Sequence, residues 1–244
     1  MPDQQYRTLQ CRAPRSVTSG GSSNAGPSNA AMQDRLRRSQ HAAQLTSQIC
    51  DNAFEATGLR PLVFERALNA FEAAFSEGLS TSTTVTIIDY ELHSSKKRLW
   101  VIDLEQQSLL FHEHAAHGRG SDRDHDGYLD SVSNGDGSHQ SNVGLLRTAE
   151  TYTGAHGYSM RMDGLEAGFN DNARSRNIVM HSSSYVKDAW IDRYGKSGRS
   201  KGCPSLDPDV SGELIQSIKG GSLVFAYYPD PEWLERSTFL NRRD

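Results

Sequence analysis

From Thr83 to Tyr228 the chain breaks into short apolar runs rich in β-branched and aromatic residues, and this texture limits the fold more than any other feature. Thr84–Tyr90, Arg98–Asp103 and Ser108–Phe111 are each too short for a helix and are separated by polar turns, as strands of a sheet are. Leu145–Tyr152, Tyr158–Met162, Ile178–His181 and Ser222–Tyr228 repeat the pattern further along. Two helices flank these runs. Over Pro61–Glu77, Phe64, Leu68, Phe71 and Phe75 fall on one face with Ala67 and Ala74 beside them, an apolar stripe that suits packing on a sheet. Pro61 fits a first helical position and Gly78 the residue past the end. Between Pro208 and Lys219, Val210, Leu214, Ile215 and Ile218 point inward, with Asp207 as N-cap and Gly220 beyond the last turn. The expected class is therefore mostly β with flanking helices.

Composition sets the domain plan. Residues 1–34 read as a disordered or linker segment, because Ser19–Asn29 carries too little apolar surface to offset its ordering entropy. Residues 35–244 read as one domain, with a helical lead-in over 35–78 and a β-rich core over 83–230. Apolar content of 36% is low for a folded chain of 244 residues, and the polar excess lies in the first 60 residues and in 112–142. A formal charge of −4 with no basic cluster argues against a nucleic-acid partner. No run approaches the roughly 20 apolar residues of a transmembrane helix. The N-terminus has no signal-peptide apolar region, so a trimmed precursor or another export route is expected. Three cysteines give no disulfide framework. Cys11 and Cys50 either pair in an oxidising compartment or are unrelated thiols, and Cys203 is left free.

The segment His112–Gln140 holds five histidines and an acidic run. Asp122, Asp124, Asp126 and Gly127 match positions one, three, five and six of an EF-hand calcium loop. Position twelve is Ser133 instead of the usual bidentate Glu, which would leave Asp130 or Asp136 to complete a weaker cage. The alternative is a hydrophilic insertion in which Asp and Gly serve turns. Zinc through His112, His114 and His117 is poorly arranged, since the first two share a strand face and the third lies beyond it.

Asn177–Leu206 carries the chemistry. His181 closes the apolar run Ile178-Val179-Met180, and Cys203 sits in the tight turn Gly198-Arg199-Ser200-Lys201-Gly202-Cys203-Pro204. A sulfur nucleophile attacks as thiolate, and an imidazole is the usual base that makes it one. A structural Cys and an unrelated His are the plainer alternative. The pattern His181-Ser182, a spacer, then Ser200-Lys201-Gly202-Cys203 resembles the motif of the L,D-transpeptidase (YkuD-type) family. Gly168–Arg174, Lys219–Pro229, Thr86–Tyr90, Lys96–Asp103 and Gly137–Ser141 fit its murein L,D-transpeptidase catalytic domain branch, so the resemblance covers roughly 56–230. Lys201 stands where the motif has a second His, and Pro204-Ser205 where an Arg often follows the Cys.

This resemblance implies a YkuD-type β-sandwich catalytic domain with Cys203 as nucleophile and His181 as base. The backbone carbonyl of Ser182 or Ser183 would orient the imidazole. Gly202 would allow close approach of the substrate, and the amides of the Lys201-Gly202-Cys203 turn would serve a developing oxyanion. Arg199, Ser200 and Lys201 would hold either a substrate carboxylate or the turn itself. The implied substrate is a peptidoglycan stem peptide, acylated on Cys203 and transferred to an amine in a 3→3 cross-link. L,D-carboxypeptidase action and D-amino-acid exchange are alternatives on the same fold, and a non-catalytic wall-binding module or a cytosolic Cys hydrolase lie further off. Carbapenem β-lactams would mimic the acyl donor. The expected location is the periplasm or cell envelope. No cofactor is required, and structural calcium in the acidic loop is the one metal expected.

Overall fold

Strand β8 (Leu223–Tyr227) joins two antiparallel groups into one eight-stranded sheet of order β3-β2-β1-β8-β4-β5-β6-β7. The computed structural model describes residues 57–241. On one side of β8 lie β1 (Thr84–Asp89), β2 (Leu99–Asp103) and β3 (Ser108–Glu113), an antiparallel meander with a register shift at Val101/Ile102. On the other lie β4 (Gly144–Gly154), β5 (Gly157–Gly164) and β6 (Val179–Ser182). β8 runs parallel to β1 and antiparallel to β4. β7, only Ser205–Leu206, pairs parallel with β6 and places Ser205 opposite His181. The mostly β class with flanking helices is thus the observed one.

The first helix, α1 (Pro61–Ser76), packs on β1 and β8. Phe64, Leu68 and Phe71 are buried with Val63 and Ala70, while Phe75 is partly exposed and stacks on Phe71 at 5.7 Å between centroids. A short helix, α2 (Asp188–Tyr194), follows β6. α3 (Pro208–Ile218) lies over β1, β5 and β6. Asp207 caps it by accepting from the Asp209 amide at 2.9 Å, and Gly220 takes φ +82° beyond its end. Leu214, Ile215 and Ile218 are buried as expected; Val210 is partly exposed. Together with Met160, Met180 and Leu206 they form the core beneath the β6–β7 corner. Each such side chain contributes about 1.5–3 kcal/mol through burial, so the corner rests on a rigid base. α4 (Pro231–Arg236) is tied down by Trp233, whose indole N–H donates to the buried Glu166 at 3.0 Å.

Two-residue β7, α2 and α4 are absent from the sequence-based expectation, and the other strands and helices agree within a few residues. The linker over 1–34, the first half of the helical lead-in (35–56) and the Cys11–Cys50 pairing lie outside the described residues. Residues from Leu59 onward form one compact unit. Among the described residues no helix is long and apolar enough to cross a membrane.

Candidate active site

The corner where β6 meets β7 brings Cys203 beside the start of β6. Cys203 Sγ accepts from the Val179 amide and donates to the Asn177 carbonyl, both at 3.5 Å. Asn177 reaches this position with φ +53°, a left-handed conformation that Asn tolerates better than most residues. Gly202 has φ +116°, and a Cβ there would lie 2.6 Å from Gln140 O and 2.8 Å from Ile178 Cδ1. Only glycine fits the tight turn that presents the thiol.

Ser200 closes this turn from inside. Its Oγ donates to Cys203 O at 2.7 Å, lies 3.2 Å from His117 O, and accepts from the Gly202 amide at 3.0 Å. One of the amides expected to serve an oxyanion is therefore spent within the turn. The amides of Lys201 and Cys203 meet no acceptor among the described residues. These two N–H groups remain the available donors of the turn, the second on the residue that carries the thiol. Arg199 Nη1 donates to Asp122 O, which pins the turn to the acidic loop. Lys201 is exposed.

His181 sits two residues beyond Val179 and is buried. Its Nδ1 lies 2.9 Å from Ser182 O, and its Nε2 lies 3.1 Å from Ser205 Oγ. The carbonyl accepts only, so Nδ1 carries the proton and Nε2 presents a lone pair. That lone pair faces Ser205, whose Oγ is in turn 2.9 Å from Tyr185 OH. Among the described residues the imidazole and the thiol share no hydrogen bond. His156 stacks on His181 at 4.4 Å between centroids.

Electrostatics keep both groups neutral at rest. Burial pushes the Cys203 thiol above its ordinary value, and the Val179 amide and the Arg176 guanidinium pull it back in part. Burial lowers the His181 imidazole, the Ser182 carbonyl works the other way, and His156 adds to the lowering. The resting site thus holds a thiol and a neutral imidazole. Arg176 holds its place through Ser133 O at 2.6 Å, Ser138 Oγ at 3.0 Å and Gln140 O at 2.7 Å. Sequence reasoning missed Arg176, Asn177, Tyr185, Ser205 and His156. They lie in short polar stretches without period, and only contacts distant in sequence place them here: the β6–β7 pairing for Ser205 and Tyr185, the β4–β5 turn for His156, and residues 133–140 for Arg176.

The acidic loop is built differently. Arg98, fully buried, donates to Ala115 O at 3.0 Å, Leu92 O at 2.6 Å and His117 Nδ1 at 2.6 Å. A guanidinium only donates, so His117 carries its proton on Nε2 and gives it to Asp122 Oδ2 at 3.0 Å. Burial lowers His117 to about 4, so it is neutral at pH 7. Burial alone would raise Asp122, but the His117 hydrogen bond and the Arg199 charge bring it to about 2. Asp122, Asp124 and Asp126 present carboxylate oxygens within 4.8 Å of one another, the only such cluster among the described residues. Asp122 and Asp126 also accept backbone amides that shape the loop. His112 stacks on Trp100 and His114 faces Asp188, so the three histidines weighed for zinc go to separate partners.

A family model described as an L,D-transpeptidase catalytic domain matches residues 55–227. Among solved structures, an L,D-transpeptidase from Mycobacterium smegmatis is similar, with 13% identity, TM-score 0.36, and coverage of 60% of this chain and 59% of that one. An L,D-transpeptidase from Stackebrandtia nassauensis shows 15% identity and TM-score 0.35 over 79% and 67% of the two chains. The L,D-transpeptidase of Xylanimonas cellulosilytica shows 16% identity and TM-score 0.34 over 88% and 100%. The search of curated proteins gave no match.

Proposed function

The chain belongs to the L,D-transpeptidase catalytic domain family, and from that premise we propose that it is a peptidoglycan L,D-transpeptidase with Cys203 as nucleophile and His181 as base. The observation that carries this reading is the thiol on a glycine-only turn against β6, the strand that also holds a buried, Nδ1-protonated imidazole. Cys203 Sγ attacks the carbonyl carbon of the third stem residue while its proton passes to the imidazole. Negative charge develops on the carbonyl oxygen, and the Cys203 amide is the donor placed to meet it. Collapse breaks the amide bond, and the departing D-Ala amine takes the proton from the imidazolium. An amine of a second stem then attacks the thioester carbonyl, the C–S bond breaks and the thiol is restored. The product is a 3→3 cross-link. Water as acceptor would give carboxypeptidase action and a D-amino acid would give exchange.

Because the resting pair is neutral, proton transfer occurs as the substrate is attacked. Turnover then requires neutral His181 and falls as pH drops through the lowered value of that imidazole. The substrate places the enzyme in the periplasm or cell envelope. Incubation with a purified disaccharide-tetrapeptide, read by mass spectrometry, tests the reading. Wild type should release D-Ala and form dimers, and Cys203→Ala should do neither; D-Ala release by Cys203→Ala removes the thiol from the mechanism.

The same proposal gives the acidic loop a structural calcium held by Asp122, Asp124 and Asp126, supported by the convergence of their oxygens. It takes no part in the chemistry. Calcium should raise the melting temperature over that in chelator by mass action. Equal melting leaves the loop to its own hydrogen bonds.

A further inference from the structure

The base in this corner is not hydrogen-bonded to the thiol it serves. Two hydroxyls occupy its free nitrogen in series. Ser205 lies directly opposite His181 in the β6–β7 pairing and is fully buried. Its Oγ is 3.1 Å from His181 Nε2 and 2.9 Å from Tyr185 OH. Hydrogen positions follow from the ends of the chain. The Ser182 carbonyl takes the Nδ1 proton, so Nε2 accepts, Ser205 donates to it, and Ser205 accepts from Tyr185.

Tyr185 is itself fixed. It lies in a 3-10 turn over Ser184–Val186, its carbonyl accepts from the Gly198 amide at 2.8 Å, and a Cβ on Gly198 would lie 2.5 Å from its own Cβ. Gly198 is thus the residue that lets the Cys203 turn close over the tyrosine. Burial raises the Tyr185 phenol, which keeps its proton on the oxygen.

We propose that Ser205 and Tyr185 are positioning residues for His181, fixing the ring's orientation and its Nδ1-protonated tautomer through a Tyr185–Ser205–His181 hydroxyl chain. This rests on the reading of His181 as the base. The chain of hydroxyls therefore holds the Nε2 lone pair toward Ser205 at rest, and the Ser205 hydroxyl gives up that nitrogen when the ring takes the thiol proton. It also sets basicity. Donation to Nε2 stabilises the neutral ring and opposes its protonation. Among the described residues the other titratable groups joined to this ring are His156, stacked on it from the β4–β5 turn, and Tyr185 through Ser205.

The test is the titration of the His181 ring, read by NMR of histidine-labelled protein with the signal assigned from its loss in His181→Ala. Ser205→Ala should shift the ring toward protonation, raising the ratio of protonated to neutral ring at a given pH by about three- to tenfold, the range of one neutral hydrogen bond. Tyr185→Phe keeps the ring packing and should move the titration the same way by less. A Ser205→Ala titration that overlays wild type, or moves toward the neutral ring, overturns the proposal. This readout needs no turnover. The base assignment is read separately, from the pH profile of Cys203 alkylation in His181→Ala: an unchanged profile removes His181 from the mechanism and with it the purpose of the hydroxyl chain.

Discussion

Two polar regions meet at the Cys203 turn, and they are built from opposite materials. The acidic loop is pinned by full charges taken out of water, Arg98 and Asp122, with neutral His117 between them. The β6–β7 corner holds His181 and Cys203 with neutral hydroxyls and backbone groups: Ser205, Tyr185, the Ser182 carbonyl and the Val179 amide. Buried charges are costly to separate, so the loop stores stability. Neutral hydrogen bonds are weak individually but decide which atom carries a proton, so the corner stores reactivity. Among the described residues only Arg176 brings a cation toward the thiol, and its hydrogen bonds are taken by the loop.

If this division is right, mutations on the loop side should cost fold and those at the corner should cost chemistry. The largest effect on stability is expected for Arg98→Met. It removes the guanidinium, leaves the Asp122 carboxylate buried without its distant partner, and should cost about 3–5 kcal/mol in urea unfolding. A loss below about 1 kcal/mol would mean that the loop is not held by its charges.

Next comes Gly202→Ala, which joins the two regions. The new Cβ would press on Gln140 O and the residue would keep φ +116°. The strain should cost about 1–3 kcal/mol. Because the turn must move to relieve it, thiol acylation should fall more steeply than stability does. Equal acylation rates in the variant and wild type would show that the turn has slack.

These expectations differ in how much of them a reader of the sequence alone could have reached. The strands were legible because Thr84–Asp89 and Leu223–Tyr227 carry β-branched and aromatic runs between turn residues. The first helix was legible from the spacing of Phe64, Leu68 and Phe71. His181 and Cys203 stand out in the sequence because motif spacing survives Lys201 and Pro204, and the structure sets both at the β6–β7 corner. The hydroxyl chain was not: Ser205 gains its partner only through a two-residue strand, and nothing local marks Tyr185 as facing inward. Buried charge was equally hidden. His117 and Asp122 stand in a run that reads as solvated, and the Arg98 that draws them inside comes from the turn before another strand. Arg199 and Ser200, read as groups for a substrate carboxylate or the turn, direct their side chains to Asp122 O and Cys203 O.

The smallest effect is expected at Lys201, which stands where the motif has a second imidazole. It is exposed. Lys201→Ala should change stability by less than about 0.5 kcal/mol and should leave the pH profile of Cys203 alkylation close to wild type. His181→Ala should displace that profile. A lysine variant as impaired as the histidine variant would transfer the role of base to Lys201.

The central claim is that Cys203 is the acylating nucleophile of an L,D-transpeptidase site, and covalent trapping by a carbapenem tests it most directly. Intact-mass and peptide mass spectrometry after incubation with imipenem should show one adduct, on the peptide that contains Cys203. The adduct should be absent in Cys203→Ala and slowed in His181→Ala. An unmodified Cys203 in folded wild type, or an adduct that persists in Cys203→Ala, would contradict the account.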